Sequence, residues 1–466
     1  MRPSPRNALI SLFTADILSA LGTRVSAVAI PWLVLTTTGS AAKMGVIAAA
    51  EMLPYALTGV LAAPLADRFG HRRTSIVADT GSALALIAII LIPGTTFLQL
   101  ALLVAVGGSL RGIGDRVKHV MLRPLAEQCE VSMLRITSLY EGLSRSATLV
   151  GAPLGGLLIA ALGTHGALWA DAFSFAACAL LVATLVHLPA EPGVGEGGPA
   201  APAPVASGDG ETPVALSAEV AGGDKPGGAA TPLPRSPAEA AAGGEAKPAP
   251  EPYWTALRGG FTFLRGDRVL IGMMLMTFAI NVFGQASAAV YTPLWVEEVV
   301  GTPVVLGLLF GGFAGGALLG NVIFTVYADR IPPYRAFVIG ALIGGAPRLL
   351  TMGLSDTVWL VVSVSFLCGI ANASLNPVIG ATLFERVPAT LQTRVFGVIG
   401  ALTFAGIPVG SLLGGWSASA LGLRPALLLS GGLFLLATLI PVVQLYRRPG
   451  STPQFSGAAK PKEEPA

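Results

Sequence analysis

Gly59–Arg73 reads GVLAAPLADRFGHRR, an apolar run that ends at once in an Asp-Arg pair, a glycine and three basic or titratable side chains. Everything upstream of Asp67 suits hydrocarbon, and the stretch from Asp67 to Arg73 does not. A charged side chain at the centre of a spanning helix costs roughly 2.5–3.5 kcal/mol. So sharp an edge therefore marks a helix leaving a bilayer into a short, strongly basic loop.

The composition agrees. Of 466 residues 53% are hydrophobic and 12% charged, and the mean hydropathy is +0.70. Soluble domains carry roughly 25% charged residues, so about half the expected polar surface is missing. A net charge of +3 is too small to point to nucleic acid. Cys129, Cys178 and Cys368 are far apart and fit neither disulfide nor metal spacing. The four histidines are equally scattered. The first apolar stretch is longer than a signal-peptide core and has no clear small-residue cleavage site, so it is expected to be a retained span.

A spanning helix needs about 20 apolar residues, and the chain offers twelve such stretches. They fall at 8–35, 43–65, 74–93, 97–117, 136–162 and 166–188, then 268–294, 303–327, 336–354, 357–380, 395–420 and 424–446. The predicted fold is an all-α polytopic membrane protein of two six-helix bundles, 1–189 and 268–448. Residues 190–252, rich in Pro, Gly, Ala and Glu, read as a disordered linker, and 449–466 as a disordered tail. GVGEGG within the linker (Gly193–Gly198) spells a dinucleotide motif, but no strand precedes it and no helix follows. In 253–267, Trp254, Leu257, Phe261 and Leu264 recur at helical spacing among arginines. That pattern is an amphipathic helix on the membrane surface or an extension of span seven.

Lys and Arg collect on one side of the membrane. With the N-terminus inside, that side holds Arg2, Arg6, Arg68, Arg72, Arg73, Arg116, Lys118, Arg123, Arg135, Arg330, Arg335, Arg386, Arg394, Arg447 and Arg448, against Lys43 and Arg424 outside. Both termini and the linker are thus expected in the cytoplasm, in a cell membrane.

The halves repeat. Asp67-Arg68 answers to Asp329-Arg330, Arg135 to Arg394 and Pro153 to Pro408, at offsets of 262, 259 and 255 residues. Two six-helix repeats in parallel suggest a transporter, its substrate bound near the midplane between them.

These residues resemble the major facilitator superfamily, and within it the twelve-helix drug:proton antiporters of the macrolide-efflux and siderophore-exporter branch. The likeness covers both bundles and excludes the linker and tail. The family's loop between spans two and three reads G-x-x-x-D-R-x-G-R-R/K. Asp67, Arg68, Gly70 and Arg72 match it, while Ala63 replaces the first glycine and His71 the first basic residue. GAPLGG, with Gly151, Pro153, Gly155 and Gly156, resembles the antiporter motif G-x-P-x-G-G of span five. Arg111 and Gly114 resemble the span-four motif. The resemblance implies that Asp67 docks on the start of span eleven as a conformational latch. It also implies alternating access driven by the proton gradient, with no cofactor and no enzymatic reaction. The expected partners are a small-molecule substrate, protons and lipid, and a monomer is expected.

Charges inside the spans are the other candidates. Asp16 and Arg24 in span one are eight residues apart, about 12 Å of rise and roughly 80° of rotation, so they cannot pair. Glu51 lies in span two, while Glu141 and Arg145 share a face of span five. A carboxyl withdrawn from water takes up a proton more readily. Asp16, Glu51 and the Glu141–Arg145 pair are therefore candidates for proton coupling, the last also readable as a structural ion pair. Asp79, Asp171 and Arg348 lie on spans three, six and nine and read as packing partners. Arg24, Arg111, Asn281, Gln285, Tyr291, Asn372 and Asn376 are the candidate substrate-cavity residues. Two other readings compete with export: import of a nutrient, and a scaffold that transports nothing. No GxxxxGK[ST] run, nucleophile–base set or metal cluster is evident in the sequence.

Overall fold

The computed structural model describes residues 4–92, 94–186, 261–327, 333–388 and 391–447. No strand occurs among them. Span one is Pro5–Thr38, span two Ala41–Phe69, span three His71–Leu91 and span four Phe97–Gln128. Spans five and six form one run, Met133–Leu185, broken at Gly163 (φ 74°, ψ 174°). Only a residue without a Cβ adopts that conformation readily, so the glycine places the hairpin.

Span seven runs through Arg268–Ala286, a π-turn at Ser287–Tyr291 and Thr292–Val299. Span eight is Val304–Tyr327. Span nine is divided into Pro333–Gly344 and Ala346–Leu354, and span ten into Val358–Asn372 and Leu375–Arg386. Gln392–Leu421 and Leu423–Arg447 are spans eleven and twelve. The count of twelve agrees with the sequence.

Helix starts are set by side chains that bond the free amides of the first turn. Ser4 accepts from Asn7, and Ser40 from Lys43. Thr96 forms a reciprocal capping box with Gln99. Asp267 accepts from the amides of Val269 (2.9 Å) and Leu270 (3.3 Å), and its other oxygen meets Arg386 at 2.9 Å. That pair ties the beginning of span seven to the end of span ten. The surface helix expected at 253–267 is helical over 261–266, and its earlier residues lie outside the described ones, as do the linker 190–252 and the tail 449–466.

Span four departs from the expectation. It was expected to end at 117, with Lys118 in a basic loop, but the helix continues to Gln128 and Lys118 is 1% exposed. Its charges are neutralised inside the bundle, so they do not end the span.

The packing of the two halves defines the conformation. One apolar core, with Trp32, Leu35, Met44 and Leu168 from the first half and Tyr291, Trp295, Leu306 and Leu427 from the second, crosses between them. Toward the basic end the cores separate. One holds only first-half residues (Leu12, Ala66, Met121, Val182), and the other only second-half residues (Leu264, Val387, Val395, Ile399). The halves are therefore joined at the end away from the basic loops and part at the basic end.

Candidate functional site

Small residues make the closed end. Span two meets span eleven where Gly45 lies against the Ser411 carbonyl and Gly415; a Cβ on Gly45 would stand 3.0 Å from the Gly415 Cα. The amide of Ala42 donates to Ser419 Oγ there at 3.2 Å. Span five meets span eight through the expected antiporter motif. A Cβ on Gly156 would lie 2.7 Å from the Pro303 carbonyl, and one on Gly307 would lie 2.8 Å from that of Pro153. The same motif packs on span one: a Cβ on Gly151 would meet the Arg24 side chain at 2.7 Å, and one on Gly155 the Val25 backbone at 3.1 Å. Helices approach this closely in lipid only where small residues line the seam.

At the basic end, Asp67 is 65% exposed and faces His71 Nε2 of its own loop at 4.0 Å. The expected contact with the start of span eleven belongs to a conformation in which the basic end is closed, whereas here the cores part at that end. Arg68 lies over the Phe69 ring at 5.4 Å. Gly70 (φ 86°) closes span two and opens span three. Arg72 Nε donates to the Val182 carbonyl at 3.3 Å, and its Nη2 to that of Ala183. A cation on the last carbonyls of span six complements the negative end of that helix. The Ala63 side chain, Asp329 and Arg330 lie outside the described residues.

Within the first half, buried charges form two layers. In one, Arg111 Nη1 donates to Glu51 Oε1 at 2.8 Å and Nη2 to Asp171 Oδ2 at 3.0 Å, with the guanidinium 5.0 Å over the Phe175 ring. Asp171 also accepts from Ser26 and, at 3.2 Å, from Ser174. Spans one, two, four and six meet there. In the other layer, Lys118 Nζ donates to Asp79 Oδ1 (3.0 Å), Ser19 Oγ (3.3 Å) and Cys178 Sγ (3.4 Å). These contacts use all three donors of an ammonium. The Cys178 thiol donates in turn to Asp79 Oδ2 at 3.1 Å.

Beside this layer, Tyr55 Oη donates to Asp115 Oδ2 at 3.2 Å, and the Tyr140 hydroxyl donates to Asp16. Asp16 and Asp115 are half-buried.

Glu51, a candidate for proton coupling, is paired with Arg111. One expectation changes here. Arg111 is 5% exposed and is held between two carboxylates inside the bundle, so it does not face a substrate cavity. Asp115, Lys118, Tyr55 and Tyr140 escaped the sequence reading. The usable sign was the spacing of Arg111, Asp115 and Lys118, i, i+4 and i+7, one stripe of a helix.

Among the other candidates, Arg24 is exposed and Gln285 half-buried. Asn281 Nδ2 donates to the Thr403 carbonyl at 2.9 Å, binding span seven to span eleven. Asn372 is half-buried against Gly344, and Asn376 is exposed. Tyr291 is 1% exposed, its hydroxyl 2.8 Å from both Ser417 and Ser430. It is packed among spans seven, eleven and twelve, not set in a cavity, because the π-turn rotates it inward. Phe283 likewise stacks on Phe434 at 5.2 Å. Arg348 Nη2 donates to Thr292 at 3.0 Å, and the guanidinium lies near the rings of Phe310 and Phe313. Glu141 and Arg145 are on span five, and their side chains lie outside the described residues.

A sequence profile described as the Major Facilitator Superfamily matches residues 12–305 and 297–465. The chain belongs to the major facilitator superfamily. It is a multi-pass membrane transporter. The chain is 27% identical to the multidrug efflux pump Tap of Mycobacterium tuberculosis strain H37Rv, over 92% of this chain and 91% of the relative. It is 24% identical to the multidrug efflux pump Tap of Mycolicibacterium fortuitum, over 92% and 93%. Among solved structures it resembles the nucleoside transporter NupG, with a TM-score of 0.69, 11% identity and coverage of 94% of this chain and 99% of the other. A bacterial homologue of the lysosomal transporter Spinster, in an inward-facing and occupied conformation, gives a TM-score of 0.61 at 13% identity, over 95% and 97%. At those identities the structures speak for the fold alone.

Proposed function

We propose that this transporter exports small hydrophobic or amphipathic compounds in exchange for protons. In this reading it lies in the cytoplasmic membrane with its termini and basic end in the cytoplasm. The observation that carries the coupling is an excess of acid in the first half. Among the described residues of that half, five carboxyls (Asp16, Glu51, Asp79, Asp115 and Asp171) are buried or half-buried, against three lysine or arginine cations, Arg72, Arg111 and Lys118, of which Arg72 sits on the carbonyls that end span six. Ionised carboxylates withdrawn from water need a partner. A site with more carboxyls than buried cations has places for protons that come and go.

Asp16 suits that task best. It is half-buried, and the Tyr140 hydroxyl that donates to it is a neutral phenol. The second half offers amides rather than acids, with Gln285, Asn372 and Asn376 half-buried or exposed. A wall of that kind suits a weakly polar ligand held mainly by apolar contact. Efflux as the direction is supported by the two Tap relatives, while the excess of Lys and Arg at one end supports that end as the cytoplasmic one. In the conformation described, with the basic end open, the substrate would load from the cytoplasm.

The test uses ethidium as the probe in whole cells. Dye export is expected to collapse when a protonophore removes the proton gradient, and Asp16→Asn is expected to lower export more than tenfold and flatten its pH dependence. Export indifferent to the protonophore would end the antiport reading. A normal pH profile in the Asp16→Asn protein would remove Asp16 from the coupling.

A further inference from the structure

We propose that a small cavity beside the Glu51–Arg111 pair is a single-water site through which Glu51 gains and loses a proton. The inference rests on the proton-coupled reading above and adds to it a second proton carrier with its own relay.

The cavity has a volume of ≈ 10 Å³, and Glu51, Arg111, Gly107, Ala85, Leu86 and Val104 are among its lining residues. That is room for about one water molecule and for no organic substrate. A water occupies a cavity of this size only if polar groups hold it. Here Arg111 supplies one: its two Nη atoms are bonded to Glu51 and Asp171, while Nε is buried without a hydrogen-bond partner. Glu51 supplies an acceptor on the same wall. Asp171 does not line the cavity, so Glu51 is the carboxyl of the triad that such a water reaches.

The charges facing Glu51 are Arg111 from span four and Asp171 from span six. Spans one and three contribute apolar lining only, including Ile30, Ala85, Leu86 and Ile89. The proton step balances in both atoms and charge. The water passes a proton to the Glu51 carboxylate and is itself re-protonated from solvent. The triad then changes from two carboxylates around one guanidinium to one Arg111–Asp171 pair beside a neutral acid. Proton arrival therefore removes a buried charge and loosens span two from span four.

Gly107 is the place to intervene. A Cβ there would meet only the Ala85 Cβ, at 3.8 Å, so the first carbon of a larger side chain enters without striking backbone, and Gly107 lines the cavity that the rest would fill. Two measurements test the site on the full chain. A density map that resolves ordered water is expected to show a peak within hydrogen-bond distance of both Arg111 Nε and Glu51; a dry cavity would overturn the proposal. In liposomes, Gly107→Val is expected to cut ΔpH-driven ethidium transport at least fivefold more than downhill ethidium exit. A folded Gly107→Val protein with the wild-type ΔpH response, or one losing both kinds of transport in parallel, also overturns it. If the wild-type protein ignores ΔpH, coupling itself fails, and the water peak still decides whether the site exists.

Discussion

Arg111→Ala is expected to unfold more readily than any other single truncation in the first half and to export nothing. The substitution leaves Glu51 and Asp171 facing each other with no cation between them, inside a bundle where both are at most 9% exposed. Removing one partner of a buried ion pair typically costs about 3–5 kcal/mol, because the remaining charge stays desolvated. Here two charges remain. Arg111→Lys should be intermediate, since an ammonium is a single point of charge and cannot bridge two carboxylates as the planar fork does. Thermal unfolding in detergent reads the stability, and a second arm separates stability from coupling. Adding Glu51→Gln and Asp171→Asn to Arg111→Ala removes the stranded charges, so it should recover much of the melting temperature without recovering proton-driven export. An Arg111→Ala protein that melts with the wild type would mean that the triad is not formed in the membrane.

Gly45→Val is expected to hold the transporter away from its present conformation while leaving each half folded. The added side chain would project into the Ser411 carbonyl and Gly415 across the seam between spans two and eleven. Overpacking of this kind costs about 1–3 kcal/mol. Charged wholly to the state in which the seam is closed, that is roughly a 5- to 150-fold shift toward the alternative, in which the seam is open. Transport falls because the cycle needs both states. The measurement is a pair of spin-label distances, one across each end. The end near Gly45 should widen and the basic end should close. The basic-end result also bears on Asp67, which in a closed basic end can reach the start of span eleven as the family resemblance implies. Unchanged distances in Gly45→Val would remove the seam from the gating.

The fold was legible because bilayer chemistry leaves coarse marks: runs of about 20 apolar residues, glycines at the breaks, and cations gathered at one side. Boundaries were less legible, and span four shows why. Asp115, Arg116 and Lys118 look like a loop to any rule that treats charge as the end of a span, yet Lys118 finds three acceptors inside the bundle and the helix runs on. The site was half legible. Glu51 and Arg111 each stood out as costly residues, but 60 positions apart they carried no sign that they pair. Asp79 and Asp171 sit on helices that lie at the periphery in this fold, but a peripheral helix still has an inner face, and both side chains point along it. Tyr291 was misplaced for a more local reason. A single π-turn rotates the helix after Ala286, and no apolar pattern announces one.

The central claim is that inward proton movement drives outward transport through the acidic first half. Purified protein in liposomes tests it most directly, with ethidium on both sides at equal concentration and a pH step as the only driving force. Ethidium should move toward the acidic compartment against its own rising gradient. That movement should stop when nigericin collapses the pH step and should be absent in Asp16→Asn. Ethidium that stays at equal concentration across the membrane under a sustained pH step would contradict the account.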